Sequence, residues 1–148
     1  MSANLPVVST APHVIGTCLY ACVAIISVFM ASKALGARKL LPFQQVAAGK
    51  PWDEIDAGLQ AVVMSLLRLS GLGFLVVGAQ LGLVAITGIV HRAPFVTVAL
   101  PVLSLAFCAG LCLVNLRLHR QTGVKTPWKG SLYAAIAVAA GLVLSVID

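Results

Sequence analysis

From Leu69 to Val90 the chain carries no charged residue, and this run limits what the rest can become. About 20 apolar residues make one helical crossing of a bilayer, and the run is about that long. It follows PWDEIDAGLQAVVMSLLR, which is amphipathic at first and then increasingly apolar. Of the 148 residues, 60% are hydrophobic and 9% charged, against roughly 25% charged in an ordinary soluble domain. Mean hydropathy is +1.04. One domain of this length cannot bury that much apolar surface in water, so lipid is the expected solvent.

Three further runs have the length of a crossing. The four spans are expected at about 14–36, 60–90, 94–116 and 128–147, in one integral membrane domain covering 1–148. They are too continuously apolar for the alternating strands of a membrane barrel, and helices satisfy every backbone group internally. The expected fold class is therefore all-α, a bundle of four transmembrane helices. No Lys or Arg precedes the first span, which is too long for a signal-peptide core. Lys33, Arg38 and Lys39 follow it as stop-transfer charges, so it should be retained.

The net charge of +6 does not read as a nucleic-acid surface, because the bases sit at the ends of apolar runs without aromatic interleaving. Lys33, Arg38, Lys39 and Lys50 flank the first loop, about 37–56, and Arg117, Arg120, Lys125 and Lys129 lie in or beside the third, about 117–127. Arg92, His13 and His91 are left for the opposite side. Positive charge marks cytoplasmic loops, so both basic loops are expected inside and both termini outside.

The basic loops end alike, in Gly49-Lys50-Pro51-Trp52 and in Gly123-Val124-Lys125-Thr126-Pro127-Trp128. Proline suits a first helical position, Thr126 suits an N-cap, and Asp53 and Glu54 suit a first helical turn. A helix from Pro51 to Val90 would be about 60 Å long at ~1.5 Å per residue, longer than a membrane of about 45 Å with headgroups. A bend or strong tilt is therefore expected at Ser70-Gly71-Leu72-Gly73. Gly78 and Gly82 form a Gly-xxx-Gly pair suited to close helix packing, and Pro101 should kink the third span.

Arg68 is the most informative ionisable residue. One reading is a guanidinium that binds an anion, a lipid phosphate or a quinone carbonyl, with Ser65, Ser70 and Gln60 nearby. The plainer reading is a snorkelling arginine that sets depth or pairs with Asp53, Glu54 or Asp56. Gln80 and Ser104 fall at similar depth and invite an interhelical hydrogen bond. Cys18 and Cys22, and Cys108 and Cys112, lie four apart on their helices toward opposite surfaces, which suits inert filler better than thiol exchange. His13 and His91 lack the partners a metal or haem site needs, and His119 joins a basic loop facing anionic lipid.

No carboxylate occurs between Asp56 and Asp148, and no phosphate loop, metalloprotease helix or nucleophile elbow is present. No catalytic residue, metal or cofactor is therefore expected.

Leu41-Pro42-Phe43, Gly49-Lys50-Pro51-Trp52-Asp53-Glu54, Leu66 through Phe74, and Leu116-Arg117 with Thr122 through Trp128 resemble a group of small, uncharacterised bacterial integral membrane proteins. The resemblance implies the bacterial cytoplasmic membrane and a recurring design around Arg68, without an activity. Two functions remain open. One is a non-catalytic membrane protein, either a homo-oligomer or an accessory subunit among other membrane subunits. The other is a transporter or enzyme handling lipids or small molecules at a cytoplasm-facing site around Arg68.

Overall fold

In the computed structural model, which describes residues 10–90 and 94–147, the apolar runs form four long helices. α1 spans Thr10–Leu35, and a short α2 spans Pro42–Ala48. A 3-10 turn at Trp52–Glu54 leads to α3 (Ala57–Val90), followed by α4 (Pro94–Thr122) and α5 (Trp128–Ile147). Each of the four long helices is long and apolar enough to cross a membrane, the arrangement of a multi-pass membrane protein. No strand occurs among the described residues.

The four helices pack in a ring, α1 against α3 and α5, and α4 against α3 and α5. Neighbouring long helices run antiparallel: Gly71 and Gly78 of α3 meet Leu35 and Val28 of α1, and Gly73 and Gln80 of α3 meet Phe107 and Ser104 of α4. The α1–α3 seam is closed by glycines. A Cβ on Gly78 would lie 2.8 Å from Val28 Cγ2 and 3.2 Å from the Ala24 carbonyl oxygen. One on Gly71 would lie 3.0 Å from Leu35 Cγ. Small residues let helix backbones approach in lipid, where dispersion rather than water exclusion drives association. Tyr20, Val23, Ala24, Val77, Leu81, Val84, Ala85 and Val138 form the buried cluster, supported by Leu100, Leu105 and Phe107. This cluster occupies the part of the bundle beyond Gly73, and Pro101 is buried in α4 alongside.

Two helix boundaries differ from the sequence expectation. The second crossing helix begins at Ala57, not Pro51, because the chain first makes the 3-10 turn and then caps on Asp56. Asp56 Oδ2 accepts from the amides of Gly58 (2.9 Å) and Leu59 (3.3 Å), as an N-cap does. Asp53 and Glu54 accordingly sit in the 3-10 turn. At the other loop, α4 continues past Leu116 to Thr122, since Arg, Leu and Gln are good helix formers. It stops at Gly123, whose φ of 69° places it in the left-handed region, the usual helix terminator.

Candidate functional site

The basic end of the bundle is built by unequal helix lengths. Gly71 of α3 meets Ala34 and Leu35, the last residues of α1, so residues 57–70 of α3 continue beyond α1. Thr126 fixes the start of α5 beside Asn115, so the last turns of α4 also project. The segment between α1 and α3 folds against this projection. Gln60 Nε2 donates to the carbonyls of Trp52 (2.8 Å) and Ile55 (2.9 Å). Leu40 and Leu67 are buried. α2 is held by Gln44 Oε1 accepting from the Leu41 amide and by Gln45 Nε2 donating to the Leu40 carbonyl.

Every Lys and Arg except Arg92 belongs to this end, and all of those are exposed. Lys33 Nζ lies 5.4 Å from the centre of the Phe29 ring, and Lys129 Nζ 5.8 Å from that of Trp128. Such contacts let aromatic faces carry the ammonium groups at an interface. Asp56 is engaged in capping α3 rather than in pairing with Arg68.

Arg68, Ser65 and Ser70 are all exposed on α3. The hydroxyls of Ser65 and Ser70 donate to the carbonyls of Ala61 (2.9 Å) and Leu66 (3.0 Å) one turn back. Beside them a shallow, open groove of about 340 Å³ is lined by Ala61, Val62, Ser65, Leu66 and Leu69. Arg68 and Ser70 do not line it, and Gln60 is occupied by the loop carbonyls. The four residues are thus not drawn into one enclosed cleft.

Deeper in the bundle, Ser104 Oγ donates to Gln80 Oε1 at 3.4 Å, joining α4 to α3. Gly78 and Gly82 share a helix but not a role. Gly78 sits at the α1 contact, whereas a Cβ on Gly82 would meet nothing within 4 Å. Cys18 and Cys22 are exposed, Cys108 is buried and Cys112 half-buried, and all four are free thiols. His91, Arg92 and the side chain of His13 lie outside the described residues. Among the described residues no group of three or more His, Cys, Asp or Glu is placed to hold a metal ion.

Several residues hold structural roles other than those their sequence context suggests. Thr126 is buried and its hydroxyl donates to the Asn115 carbonyl at 2.8 Å, tying the loop to α4 instead of capping α5. His119 Nδ1 lies 2.7 Å from the Val124 carbonyl oxygen, closing the same loop from the α4 side. Asn115 Nδ2 donates to the Leu111 carbonyl at 2.9 Å. Gly73 admits the Phe107 ring, since a Cβ there would lie 2.7 Å from Phe107 Cε2. Phe107 in turn packs edge-to-face on Phe74 at 5.6 Å. Gly141 does the same for Tyr20, whose ring carbon Cε1 would sit 2.7 Å from an added Cβ. The Tyr20 hydroxyl is enclosed next to Ser145 without a well-formed hydrogen bond. A glycine opposite an aromatic on another helix leaves no local signal, because the pairing exists only after the helices meet.

Comparison with protein-family models, with curated proteins and with solved structures found no match for this chain.

Proposed function

We propose that this chain is a non-catalytic integral membrane protein that acts through assembly, as a self-associating bundle or an accessory subunit of a larger membrane complex. One observation carries the reading: the polar side chains that a reactive site would need are engaged in holding helices and loops. Gln60, Asn115, Thr126 and His119 all contact backbone carbonyls, and Ser104 joins Gln80. A site for chemistry leaves such groups free to meet a substrate. The outward faces of all four long helices are apolar, including Ile25, Ile26, Leu66, Leu69, Leu103, Leu113, Val143 and Val146. These faces can be covered by lipid or by neighbouring subunits.

On this reading the protein resides in the bacterial cytoplasmic membrane, with the basic end in the cytoplasm and both termini outside. The asymmetry of Lys and Arg supports that orientation. α3 has 34 residues, about 51 Å at ~1.5 Å per residue. It therefore tilts or bends near Ser70–Gly73, or carries its first turns into the headgroups.

Gentle extraction followed by native mass spectrometry tests the proposal. The expected spectrum contains multiples of the 15.3 kDa chain or the chain with retained partner subunits. A spectrum of single chains, in detergents that preserve other membrane assemblies, overturns it.

A further inference from the structure

We infer that two copies of this chain meet along the seam between α3 and α4, where the free end of the Gln80 carboxamide bonds to its counterpart across a twofold axis parallel to the helices. The inference rests on the assembly reading and names its contact surface.

Gln80 lies at the middle of the uncharged run from Leu69 to Val90, and Ser104 at the middle of the run between Arg92 and Arg117. The amide therefore sits at the depth farthest from headgroups and water. Ser104 Oγ donates to Gln80 Oε1, and among the described residues that is the side chain's only hydrogen bond. Both Nε2 hydrogens lack a partner, and exchanging the amide oxygen and nitrogen would strand the oxygen instead. Leu81, Ser104 and Val138 close the interior completely, whereas Gln80 is half-buried and its Nε2 remains reachable from outside the bundle. An unpartnered polar group in hydrocarbon is costly, and lipid tails supply no partner.

The surroundings of the amide suit a second helix. Val76, Gln80 and Leu83 stand at i, i+4 and i+7, so they line one edge of α3. Val76 and Leu83 are exposed, as is Leu103, the neighbour of Ser104 in α4. Together they form an apolar rim around one polar centre, the arrangement by which a single buried amide fixes register between helices. Of the four seams in the ring, that between α3 and α4 is the least extensive, which leaves this edge open.

Self-complementarity selects the occupant. Every copy carries its basic end on the same side, so a twofold axis along the helices brings each residue opposite itself at one depth. A carboxamide holds both donor and acceptor, and two of them exchange N–H···O bonds reciprocally. An ammonium or a carboxylate in this place would repel its own copy.

The test uses the full chain in lipid vesicles, with energy transfer between dye-labelled copies giving the dissociation constant. Gln80→Leu should weaken pairing about tenfold, the factor two interhelical hydrogen bonds supply, and Gln80→Asn should keep part of the strength. Cross-linking is read separately, with Cys18, Cys22 and Cys112 replaced by alanine and Cys108 left buried. Val76→Cys or Leu83→Cys should then form a dimer on oxidation. Val143→Cys on α5, across the ring from α3, should not.

Dimers that cross-link through Val143→Cys but through neither Val76→Cys nor Leu83→Cys overturn this surface and leave the assembly reading standing. An unchanged dissociation constant in Gln80→Leu, with its helices intact by circular dichroism, does the same. Chains associated only with other proteins overturn the second copy while keeping assembly. Single chains at every lipid dilution overturn both. Where Gln80→Leu does not fold, the cross-links at Val76→Cys and Leu83→Cys decide.

Discussion

The two halves of α3 share a composition but sit in opposite surroundings. From Gly71 onward the helix is clasped: Gly71 and Gly78 admit α1, Gly73 admits Phe107 of α4, and Val77, Leu81, Val84 and Ala85 are buried. From Ala57 to Ser70 the same helix has one flank on the α1–α3 loop and the rest open, with Leu59, Val62, Leu66 and Leu69 each more than half exposed. Both halves are rich in leucine and valine. The difference teaches that in a lipid-immersed chain burial follows where glycines let a neighbour approach, and apolar content does not report it.

The largest expected effect falls on the clasped half. Gly78→Leu drives side-chain atoms into Val28 and the Ala24 carbonyl, and should destabilise the bundle by about 1–3 kcal/mol, the usual cost of overpacking. Gly82→Leu, one turn on, should leave the melting of a single bundle unchanged because nothing lies within 4 Å of its Cβ. Thermal unfolding in detergent compares the two. Equal losses would erase the distinction between a packed and an open glycine on one helix. Where the native assembly dissociates in Gly82→Leu while the bundle still folds, that open position belongs to a subunit contact.

A smaller effect is expected where the loop is pinned to α4. Thr126→Val keeps the shape but removes the hydroxyl that donates to the Asn115 carbonyl, costing about 1 kcal/mol. Limited proteolysis between Gly123 and Pro127 should speed up correspondingly. An unaltered cleavage rate would mean that the His119 contact with Val124 holds the loop by itself.

Tyr20→Phe should move stability the other way. Its hydroxyl is enclosed without a well-formed hydrogen bond, and removing a poorly satisfied buried polar group is neutral or stabilising by up to ~1 kcal/mol. A clear loss of stability in the same melting assay would show that the contact with Ser145 is a working hydrogen bond.

The smallest effect belongs to the open half. Leu66→Asn changes a residue that is 57% exposed and should shift bundle stability by less than ~0.5 kcal/mol, as surface substitutions do. A loss comparable to that of Gly78→Leu would place Leu66 in the core and reverse the contrast between the halves.

The apolar runs by themselves determined four helices long and apolar enough to cross a membrane, because each run is at least about one bilayer long and a helix satisfies its own backbone. The distribution of Lys and Arg likewise grouped the ends of those helices before any packing was known. Which glycine is occupied was decided by tertiary structure: Gly78 and Gly82 are equivalent by spacing, but only one lies where α1 arrives. Arg68 shows the same division. Its charge and approximate depth follow from its position at the edge of the uncharged run, whereas its exposure depends on α1 ending at Leu35 and α3 continuing past it. Thr126 is the sharpest case, since a threonine before Pro-Trp reads locally as a cap. Its hydroxyl turns to Asn115 because α4 runs on to Thr122 and brings a carbonyl within reach. Local chemistry sets what a residue is able to bond, and the meeting of helices sets what it bonds.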